Sequence, residues 1–388
     1  MGTGKVIYVD SNATTKVAPE VLEAMEPFFC ERYGNASSMH TFGGSVRHEL
    51  DAAREQVAKL LGAMPGEIVF TSCGTESDNA AVIGTLRANP EKRHIITTRV
   101  EHPAIRSLCQ YLTKERYEVT EVPVNRQGEL DVDFLADAIR PDTAVVSVMW
   151  ANNETGVIFP VEEIAEIAHA AGVVFHTDAV QAVGKLPINL AKTRIDLLSL
   201  SGHKLHAPKG IGALYVRRGT KLTPLLIGGH QEHGRRGGTE SSASIVGLGM
   251  AAELAVEHIV DENTRVKAMR DRLERRILES TPDCFVNGAR DERLPNTTNI
   301  SFEYVEGEAI LLRLDELGIC ASSGSACTSG SLEPSHVMRA MGVPFTAAHG
   351  SIRFSLSIYN TDDEIDFIAG HVPRIIKDLR AISPYARK

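Results

Sequence analysis

Two residues of this chain are of types that form covalent bonds during catalysis, and each lies in a suitable segment. Lys204 follows the apolar run DLLSL and precedes a turn rich in glycine and proline. A lysine there is poorly hydrated, which favours its neutral form and suits Schiff-base chemistry, although surface lysines are far commoner. Cys327 lies within residues 322–330, a run of small residues without an apolar anchor. We expect this segment to be exposed, so that its thiol can reach a substrate and then carry a group outward.

Three other segments place polar residues directly after an apolar run. After EIVF, Gly74 and Thr75 begin a helical pattern, where backbone N–H groups and the helix dipole attract a phosphate; an ordinary helix cap is the alternative. After HIITTRV, His102 should project into a cleft, although a lone histidine is more often structural. After GVVF, Asp178 ends a buried run and needs a partner, such as a protonated pyridine nitrogen or the cation of a salt bridge. Together with Lys204, these residues make a complete site for pyridoxal phosphate.

The apolar runs that must position these residues are short and rich in β-branched side chains. EIVFTS, HIITTRV, AVVSVMW, GVVFHTD and DLLSLS are typical of buried strands. Helical patterns lie between them; in residues 161–172 the apolar side chains recur at helical spacing, and Gly172 should end the helix. This alternation predicts a mostly parallel sheet covered by helices on both faces, with ligands bound beyond the carboxyl ends of the strands.

The pattern changes after residue 260, where a charged helix over residues 263–279 leads to the strand-like runs NTTNISF and GSIRFSLS. The sequence therefore predicts a large cofactor-binding domain of residues 15–260. Residues 1–14 and 261–388 would form a smaller α/β domain that carries the Cys327 segment. In GSIRFSLS, strand alternation turns Arg353 away from the apolar side, where its planar guanidinium suits a carboxylate; a solvated arginine is the alternative.

The composition limits the classes of partner. The chain has 388 residues and a net charge of −9, with both signs mixed along it, which argues against nucleic acid or an anionic membrane as a partner. No apolar run approaches the ~20 residues of a membrane span, and the N-terminus has no apolar signal core. None of the six cysteines forms a CxxC pair. We therefore expect a cytoplasmic protein.

Three sequence strings carry a resemblance to a known family. SGHK followed by PKG, the H-x-D-x-x-Q stretch and SSGSACT together resemble the cysteine desulfurases, which belong to class V of the fold-type I pyridoxal-phosphate enzymes. The resemblance runs from about Val6 to the C-terminus. The strings MWANNETG, SSGSACTSGSLEPSHVMRAMG and the ending SPY are most similar to the nitrogen-fixation type, the NifS-like enzymes. The resemblance implies a large domain with a mostly parallel sheet and a smaller C-terminal α/β domain.

The resemblance also implies roles for the polar residues at the strand ends. Lys204 would hold pyridoxal 5'-phosphate covalently, and His102 would stack on its ring. The other cofactor contacts that it implies are Asp178 at the pyridine nitrogen, Gln181 at the ring hydroxyl, and Gly74, Thr75, Ser201 and His203 at the phosphate. Thr239, in the stretch GRRGGT, is expected to reach the phosphate of the other subunit, which implies a homodimer with shared active sites.

Substrate binding and sulfur transfer are assigned in the same way. Arg353, Asn153 and Asn35 resemble the residues that contact L-cysteine. Cys327 would take the sulfur as a persulfide while alanine is released; we favour it over Cys73, on a strand-end turn, and over Cys320, which should be a buried strand residue. The sulfur would then pass to an iron–sulfur scaffold or another acceptor protein. Nitrogenase-cluster assembly and general iron–sulfur supply both fit this resemblance.

Other functions and sites are less consistent with the sequence. A selenocysteine lyase or an aminotransferase could have the same fold, and a non-catalytic sulfur carrier or scaffold is a candidate of another class. Residues 247–252 match the nicotinamide motif G-x-G-x-x-A, but they lie inside a helical pattern instead of after a strand. His230 and His233 lack the cysteines or carboxylates that would complete a metal site, so no metal is expected.

Two short stretches depart from the family pattern. Ala36 stands where family members usually have proline, which loosens the expected placement of Asn35. Residues 10–15 differ by one residue from the commonest sequence of the nitrogen-fixation type at this place. We expect neither departure to touch the chemistry.

Overall fold

The computed structural model of the protein describes residues 6–323 and 334–384, so Cys327 lies outside the described residues. The strands within these ranges are, in chain order, β1 (Ile7–Tyr8), β2 (Ile68–Thr71), β3 (His94–Thr98), β4 (Glu118–Val122), β5 (Thr143–Ser147), β6 (Val174–Asp178), β7 (Leu197–Ser201), β8 (Gly212–Val216), β9 (Cys284–Val286), β10 (Thr297–Phe302), β11 (Ile319–Cys320), β12 (Ser322–Ser323) and β13 (Ser351–Ser355).

The α-helices alternate with these strands. They are α1 (Pro19–Met25), α2 (Pro27–Cys30), α3 (Thr41–Leu61), α4 (Gly74–Ala88), α5 (Pro103–Lys114), α6 (Val132–Asp137), α7 (Val161–Ala170), α8 (Ser242–Asp261), α9 (Lys267–Ser280), α10 (Gly307–Asp315), α11 (His336–Ala340), α12 (Phe345–Ala348) and α13 (Asp362–Ile382). The predicted end of α7 is confirmed, because Gly172 follows the helix with a φ of 66°, in the left-handed region that glycine adopts readily.

A seven-stranded sheet forms the centre of the molecule, with the strand order β2-β8-β7-β6-β5-β3-β4. The strands from β7 to β4 pair in parallel, whereas β8 is antiparallel to both of its neighbours. The predicted mostly parallel α/β sheet is therefore confirmed. Five strands of this sheet were predicted from the sequence, namely β2, β3, β5, β6 and β7. Sequence reasoning did not single out the other two, β4 and β8.

Helices cover both faces of this sheet, because neighbouring strand residues point into different apolar cores. Ile96 and Val146 pack in the largest core, which includes residues of α3, α7 and α8. Ile95 and Val145, one residue earlier on the same strands, pack with residues of α4 and α5 on the other face. Both faces are thus removed from water, which explains why these strands read as continuous apolar runs.

A second core lies in the C-terminal part of the chain. A four-stranded antiparallel sheet, β12-β13-β10-β9, packs there with apolar residues of α9, α10 and α13. In contrast, Val337 and Met338 of α11 are buried in the first core. The division into residues 15–260 and the remainder stays a prediction. The packing of α11 means that the chain returns to the first core directly after residues 324–333.

One long helical stretch, Ser242–Ser280, links the two cores. It consists of α8, a π-helical segment at Glu262–Val266 and α9. Among the described residues it is the one helix long and apolar enough to cross a membrane, judged by length and composition only. Buried helices of globular proteins pass the same test, and Gly249 of α8 lies against α3 so closely that a Cβ there would be 2.7 Å from the Cβ of Ala53.

The glycine-rich loop before α8 is fixed by a buried ion pair. The carboxylate of Glu232 accepts hydrogen bonds from both terminal nitrogens of Arg54, at 2.7 and 2.8 Å, and one from the backbone N–H of Phe70 at 2.9 Å. The side chains of Arg54 and Glu232 are only 11% and 3% exposed. Glu232 and His233 also have left-handed φ values of 48° and 56°. This buried ion pair therefore holds the loop against α3.

Removing this carboxylate should weaken the fold. In a Glu232→Ala variant the guanidinium of Arg54 and the N–H of Phe70 lose a charged partner in a buried place, so we expect the free energy of unfolding to fall by about 3 kcal/mol. Urea denaturation of the purified protein measures this change. Glu55→Ala, which removes an exposed carboxylate from α3, the helix that contains Arg54, is the matched control. A loss below about 1 kcal/mol in Glu232→Ala would contradict the assignment.

Candidate active site

A cavity of about 280 Å³ opens at the carboxyl ends of the parallel strands. The ends of β6 and β7, the segments after β3 and β5, and the start of α4 all contribute to its wall, as expected for a sheet of this kind. Ten of the predicted site residues line it: Gly74, Thr75, His102, Asn153, Asp178, Gln181, Ser201, His203, Lys204 and Arg353. The structure thus brings together residues that are up to 279 positions apart in the sequence, from Gly74 to Arg353.

Lys204 lies at the end of a short 3-10 turn, Gly202–Lys204, that directly follows β7. Its Nζ donates hydrogen bonds to the backbone carbonyl oxygens of Asn12 and Ala13, the second at 2.7 Å. These two acceptors hold the amine at the cavity wall, where it can meet an aldehyde. A lysine at this position can therefore bind a carbonyl cofactor covalently and move a proton once it is released.

Asp178 ends β6 and is almost fully buried. Its Oδ1 accepts a hydrogen bond from the backbone N–H of Val180 at 2.9 Å. Burial raises the pKa of Asp178, while the nearby His102 and Lys204 lower it. Burial lowers the pKa of His102, which Asp178 partly offsets. A buried carboxylate in this setting is a suitable partner for a protonated ring nitrogen.

Gln181 leaves hydrogen-bonding capacity in the same cavity. Its Nε2 donates to the backbone carbonyl of Asn12 at 3.0 Å. Its Oε1 is buried and has no hydrogen-bond partner among the described residues. Because buried polar atoms are nearly always paired, this orphaned acceptor fits a ligand hydroxyl. The polar groups of this cavity therefore fit pyridoxal phosphate. The unpaired Oε1 gives a physical basis to the prediction that Gln181 bonds the ring hydroxyl.

The start of α4 provides a place for a phosphate. Gly74 and Thr75 form its first turn, where backbone N–H groups lack helical acceptors. The start of α4 packs closely against the segment after β6, since a Cβ on Gly74 would lie 2.8 Å from a methyl carbon of Val180. Across the cavity, the Nδ1 of His203 lies 3.1 Å from Oγ1 of Thr14, and burial lowers the His203 pKa to about 4. His203 is thus neutral at pH 7 and can donate one N–H to an oxyanion.

Arg353 enters the cavity from the second sheet, as strand alternation predicted. Its neighbours Ile352 and Phe354 are buried in the second core. The guanidinium of Arg353 donates to Asp10 Oδ1 at 2.6 Å and to the backbone carbonyl of Asn153 at 2.9 Å, whereas its Nε has no partner among the described residues. The arginine is only 3% exposed, so the solvated-arginine alternative is wrong.

The N-terminal segment forms part of the cavity wall. Asn12 and Ala13 line the cavity and Asp10 pairs with Arg353. The expectation that the one-residue departure within residues 10–15 leaves the chemistry untouched stays a prediction. The backbone carbonyls of Asn12 and Ala13 also hold Lys204. Sequence reasoning missed this role because the segment meets Lys204 through backbone atoms, and meets Arg353 through a side chain 343 positions away in the sequence.

Three buried titratable residues beneath the cavity were also missed as a group. Burial raises the pKa of Asp78 well above its usual value and raises that of Glu101 to about 8. Burial lowers the pKa of His176 to about 3. The Nε2 of His176 lies 3.6 Å from Asp78 Oδ1, and hydroxyls of Ser147 and Ser199 lie 2.9 Å from its two ring nitrogens. The position of Asp78, one helical turn after Gly74, was the available signal.

Two predicted residues are not brought to this cavity. Thr239 is exposed and lines a separate depression together with Ser72 and Arg236. Asn35 is also exposed, and its Oδ1 accepts a hydrogen bond from the backbone N–H of Ser37 at 2.8 Å. Within the described part of one chain, neither residue contributes to the site.

Comparisons with known proteins agree with the geometry. A model of the aminotransferase class-V family matches residues 7–368. The chain is 60% identical to the cysteine desulfurase NifS of Azotobacter vinelandii over 380 residues, which cover 98% of this chain and 94% of that protein. It is also 60% identical to a cysteine desulfurase of Trichormus azollae, with 98% and 95% covered.

Solved structures with the same fold lead to the same family. A structure described as a NifS-like protein has a TM-score of 0.90 and 38% identity, covering 97% of this chain and 100% of the other. A structure described as SspA in complex with cysteine has a TM-score of 0.82 and 37% identity, covering 92% and 100%. These findings confirm the predicted family, fold and cofactor. The chain therefore belongs to the aminotransferase class-V family and, within it, to the pyridoxal-phosphate-dependent cysteine desulfurases.

Proposed function

We propose that the enzyme transfers the sulfur of L-cysteine to Cys327 and releases L-alanine. The reaction balances as L-cysteine plus the Cys327 thiol giving L-alanine plus a Cys327 persulfide. The observation that carries the proposal is the convergence of Lys204, Asp178, Gln181 and Arg353 on one cavity. The relatives named cysteine desulfurase and the similar structure that contains cysteine support the choice of substrate.

Arg353 would bind the substrate carboxylate. Its buried Nε lacks a partner among the described residues, and its other nitrogens are already oriented by Asp10 and by the carbonyl of Asn153. An arginine held in this way loses little conformational entropy when it forms a bidentate pair. The Asn153 side chain, on the same wall, is the second proposed contact. Asn35 stays a proposed substrate contact by resemblance, although it does not line the cavity of its own chain.

Pyridoxal phosphate, when bound, supplies an electron sink for the substrate Cα. Lys204 would hold it, and the released amine would take the Cα proton while the carbonyls of Asn12 and Ala13 keep it in place. Asp178 would keep the ring nitrogen protonated. His102 would stack on the ring and exchange a proton with the substrate thiol. The remaining proposed contacts to the cofactor are those of Gln181 with the ring hydroxyl and of Gly74, Thr75, Ser201 and His203 with the phosphate.

Cys327 would act as the nucleophile towards the substrate sulfur. A new S–S bond forms as the Cβ–S bond of the substrate breaks. Cβ then takes up a proton to become the methyl group of alanine, and Cα regains the proton that Lys204 had taken. A free thiol has a pKa of about 8.5, so only a minor fraction is thiolate at neutral pH. Removal of the thiol proton is therefore part of this step, with His102 as the proposed proton carrier.

Mass spectrometry of the Cys327 peptide tests the function directly. After L-cysteine is added to the enzyme with its cofactor, we expect one additional sulfur atom on that peptide, which a thiol reductant removes. L-Alanine added instead of L-cysteine is the control and should leave the peptide unchanged. Extra sulfur on Cys73 or Cys320 would show that the nucleophile is wrong. No extra sulfur on any cysteine, together with no alanine formed from L-cysteine, would favour a selenocysteine lyase or an aminotransferase.

The biological setting is a further part of the proposal. We propose a cytoplasmic homodimer in which Thr239 of one subunit reaches the phosphate site of the other, since Thr239 is exposed and does not line its own cavity. The described cysteines are all free, as expected in a reducing compartment. The persulfide would pass to an iron–sulfur scaffold or another acceptor protein. The NifS name of a close relative supports nitrogenase-cluster assembly as one use of that sulfur.

A further inference from the structure

The chain on either side of residues 324–333 is attached to the substrate-binding wall. On the N-terminal side, Ser322 of β12 pairs with Arg353 of β13. On the C-terminal side, Ser335 and His336 begin α11, which packs in the first core. The two flanks of the sequence that carries Cys327 therefore belong to different cores. Contacts that fix the flanks can thus determine how the thiol is presented to the substrate.

The C-terminal flank is held by a buried hydrogen bond to Glu154. The hydroxyl of Ser335 donates to Glu154 Oε2 at 2.5 Å, and Oγ of Ser335 accepts a hydrogen bond from the backbone N–H of Val337 at 3.0 Å. Glu154 and Ser335 are 4% and 6% exposed. Ser335 therefore both caps α11 and ties it to the loop after β5. A second contact joins His336 Nε2 to the backbone carbonyl of Glu101 at 2.9 Å.

Glu154 is itself held firmly. Its backbone N–H donates to Asn152 Oδ1 at 3.0 Å, and its carbonyl accepts from Asn299 Nδ2 at 3.1 Å. The preceding residue is Asn153, whose carbonyl accepts from Arg353. Glu154 thus lies between the arginine proposed to bind the substrate carboxylate and the serine that begins the flank after residues 324–333. It does not itself line the cavity among the described residues.

The burial of Glu154 makes this contact sensitive to substitution. Burial raises its pKa to about 7, and the Ser335 hydrogen bond and the charge of Arg353 act in the opposite direction. A buried carboxyl group needs its hydrogen-bond partner, because an unsatisfied one is costly. The Glu154–Ser335 pair is therefore expected to be formed in the resting enzyme.

We propose that Glu154 is a positioning residue for sulfur transfer, which fixes Ser335, and with it the flank of the Cys327 segment, to the wall that binds the substrate. This inference rests on the proposed function, because it concerns the step in which Cys327 takes the sulfur. Glu154 acts through Ser335, and it does not touch the substrate. The step that removes the Cα proton needs the held cofactor, Lys204 and Arg353 but not Cys327, so the two steps should respond differently to a change at Glu154.

The experiment compares those two steps in the enzyme with its cofactor. Cα proton removal is measured by exchange of the L-alanine Cα hydrogen in deuterated water. Sulfur transfer is measured by the rate of persulfide formation on Cys327 in a single turnover. For Glu154→Ala we expect persulfide formation to slow about tenfold while exchange stays within about twofold, because displaced reactive groups lose rate sharply. Ser335→Ala should have the same effect, and the double variant should be no slower than either single variant.

Two matched variants separate positioning from simple destabilisation. Glu154→Gln keeps a side chain that can hydrogen-bond to Ser335 and should restore most of the persulfide rate. Glu162→Ala, which removes an exposed glutamate from α7, should leave both rates unchanged. The inference is overturned if exchange and persulfide formation fall together in Glu154→Ala, or if neither falls. A wild-type enzyme that exchanges the alanine hydrogen but places no sulfur on Cys327 would instead overturn the proposed function.

Discussion

Replacing Lys204 with alanine is expected to abolish turnover of L-cysteine and to remove the covalent link between protein and cofactor. The amine of Lys204 is held at the cavity wall by the carbonyls of Asn12 and Ala13. Without it, the Cα proton has no positioned acceptor, and a positioned base contributes about 10²–10⁴-fold to such a step. We therefore expect kcat to fall by about 10³-fold or more, since covalent attachment is lost as well.

Borohydride reduction followed by peptide mapping measures the attachment, and sulfide release in the presence of a thiol reductant, which splits the persulfide, measures turnover. The wild type should carry the cofactor on the Lys204 peptide, whereas Lys204→Ala should carry none. Lys209→Ala, which removes an exposed lysine from the same turn, is the control and should behave as the wild type. The fold should survive, because the carbonyl of Asn12 still accepts from Gln181. If Lys204→Ala carried the cofactor on another lysine and turned over normally, the assignment of Lys204 as the cofactor-binding lysine would be wrong.

The sheet and the strand-end residues could be predicted because their signals are local. Each parallel strand is buried on both faces and therefore reads as a short apolar run, and a polar residue at its end must lie at the ligand-binding edge. This logic located His102, Asp178 and Lys204 from single segments. The same logic missed β4, because the residues of this edge strand, Glu118 to Val122, are largely exposed or half-buried.

Other parts of the site depend on contacts between distant segments and could not be predicted. Asp10 meets Arg353 across 343 positions, and the Ser335–Glu154 hydrogen bond spans 181. Glu154 is an ordinary loop acid by sequence, and only the packing of α11 against the first core gives it a partner. Thr239 and Asn35 present a different limit, because Thr239 is proposed to act in a second subunit and Asn35 does not line the cavity of its own chain. Their roles stay predictions.

Replacing Cys327 with alanine is expected to stop sulfur transfer while cofactor binding remains intact. The groups proposed to hold the cofactor lie at the strand ends and at the start of α4, away from Cys327 in the sequence. The amine of Lys204 and the guanidinium of Arg353 should still act on the substrate. Because the positioned nucleophile is lost, sulfide release from L-cysteine should fall by about 10²-fold or more.

Three other cysteines provide controls for this result. Cys73 lines the cavity, and Cys320 lies half-buried on β11, where burial raises its thiol pKa. Cys30 is exposed. Each of these replaced by alanine should retain most of the sulfide release, whereas Cys327→Ala should lose it and still exchange the Cα hydrogen of L-alanine. Normal sulfide release by Cys327→Ala, or its loss in Cys73→Ala alone, would move the nucleophile to the strand-end turn beside α4. Loss of exchange in Cys327→Ala would place the thiol in the proton-transfer step as well, contrary to the separation of the two steps argued above.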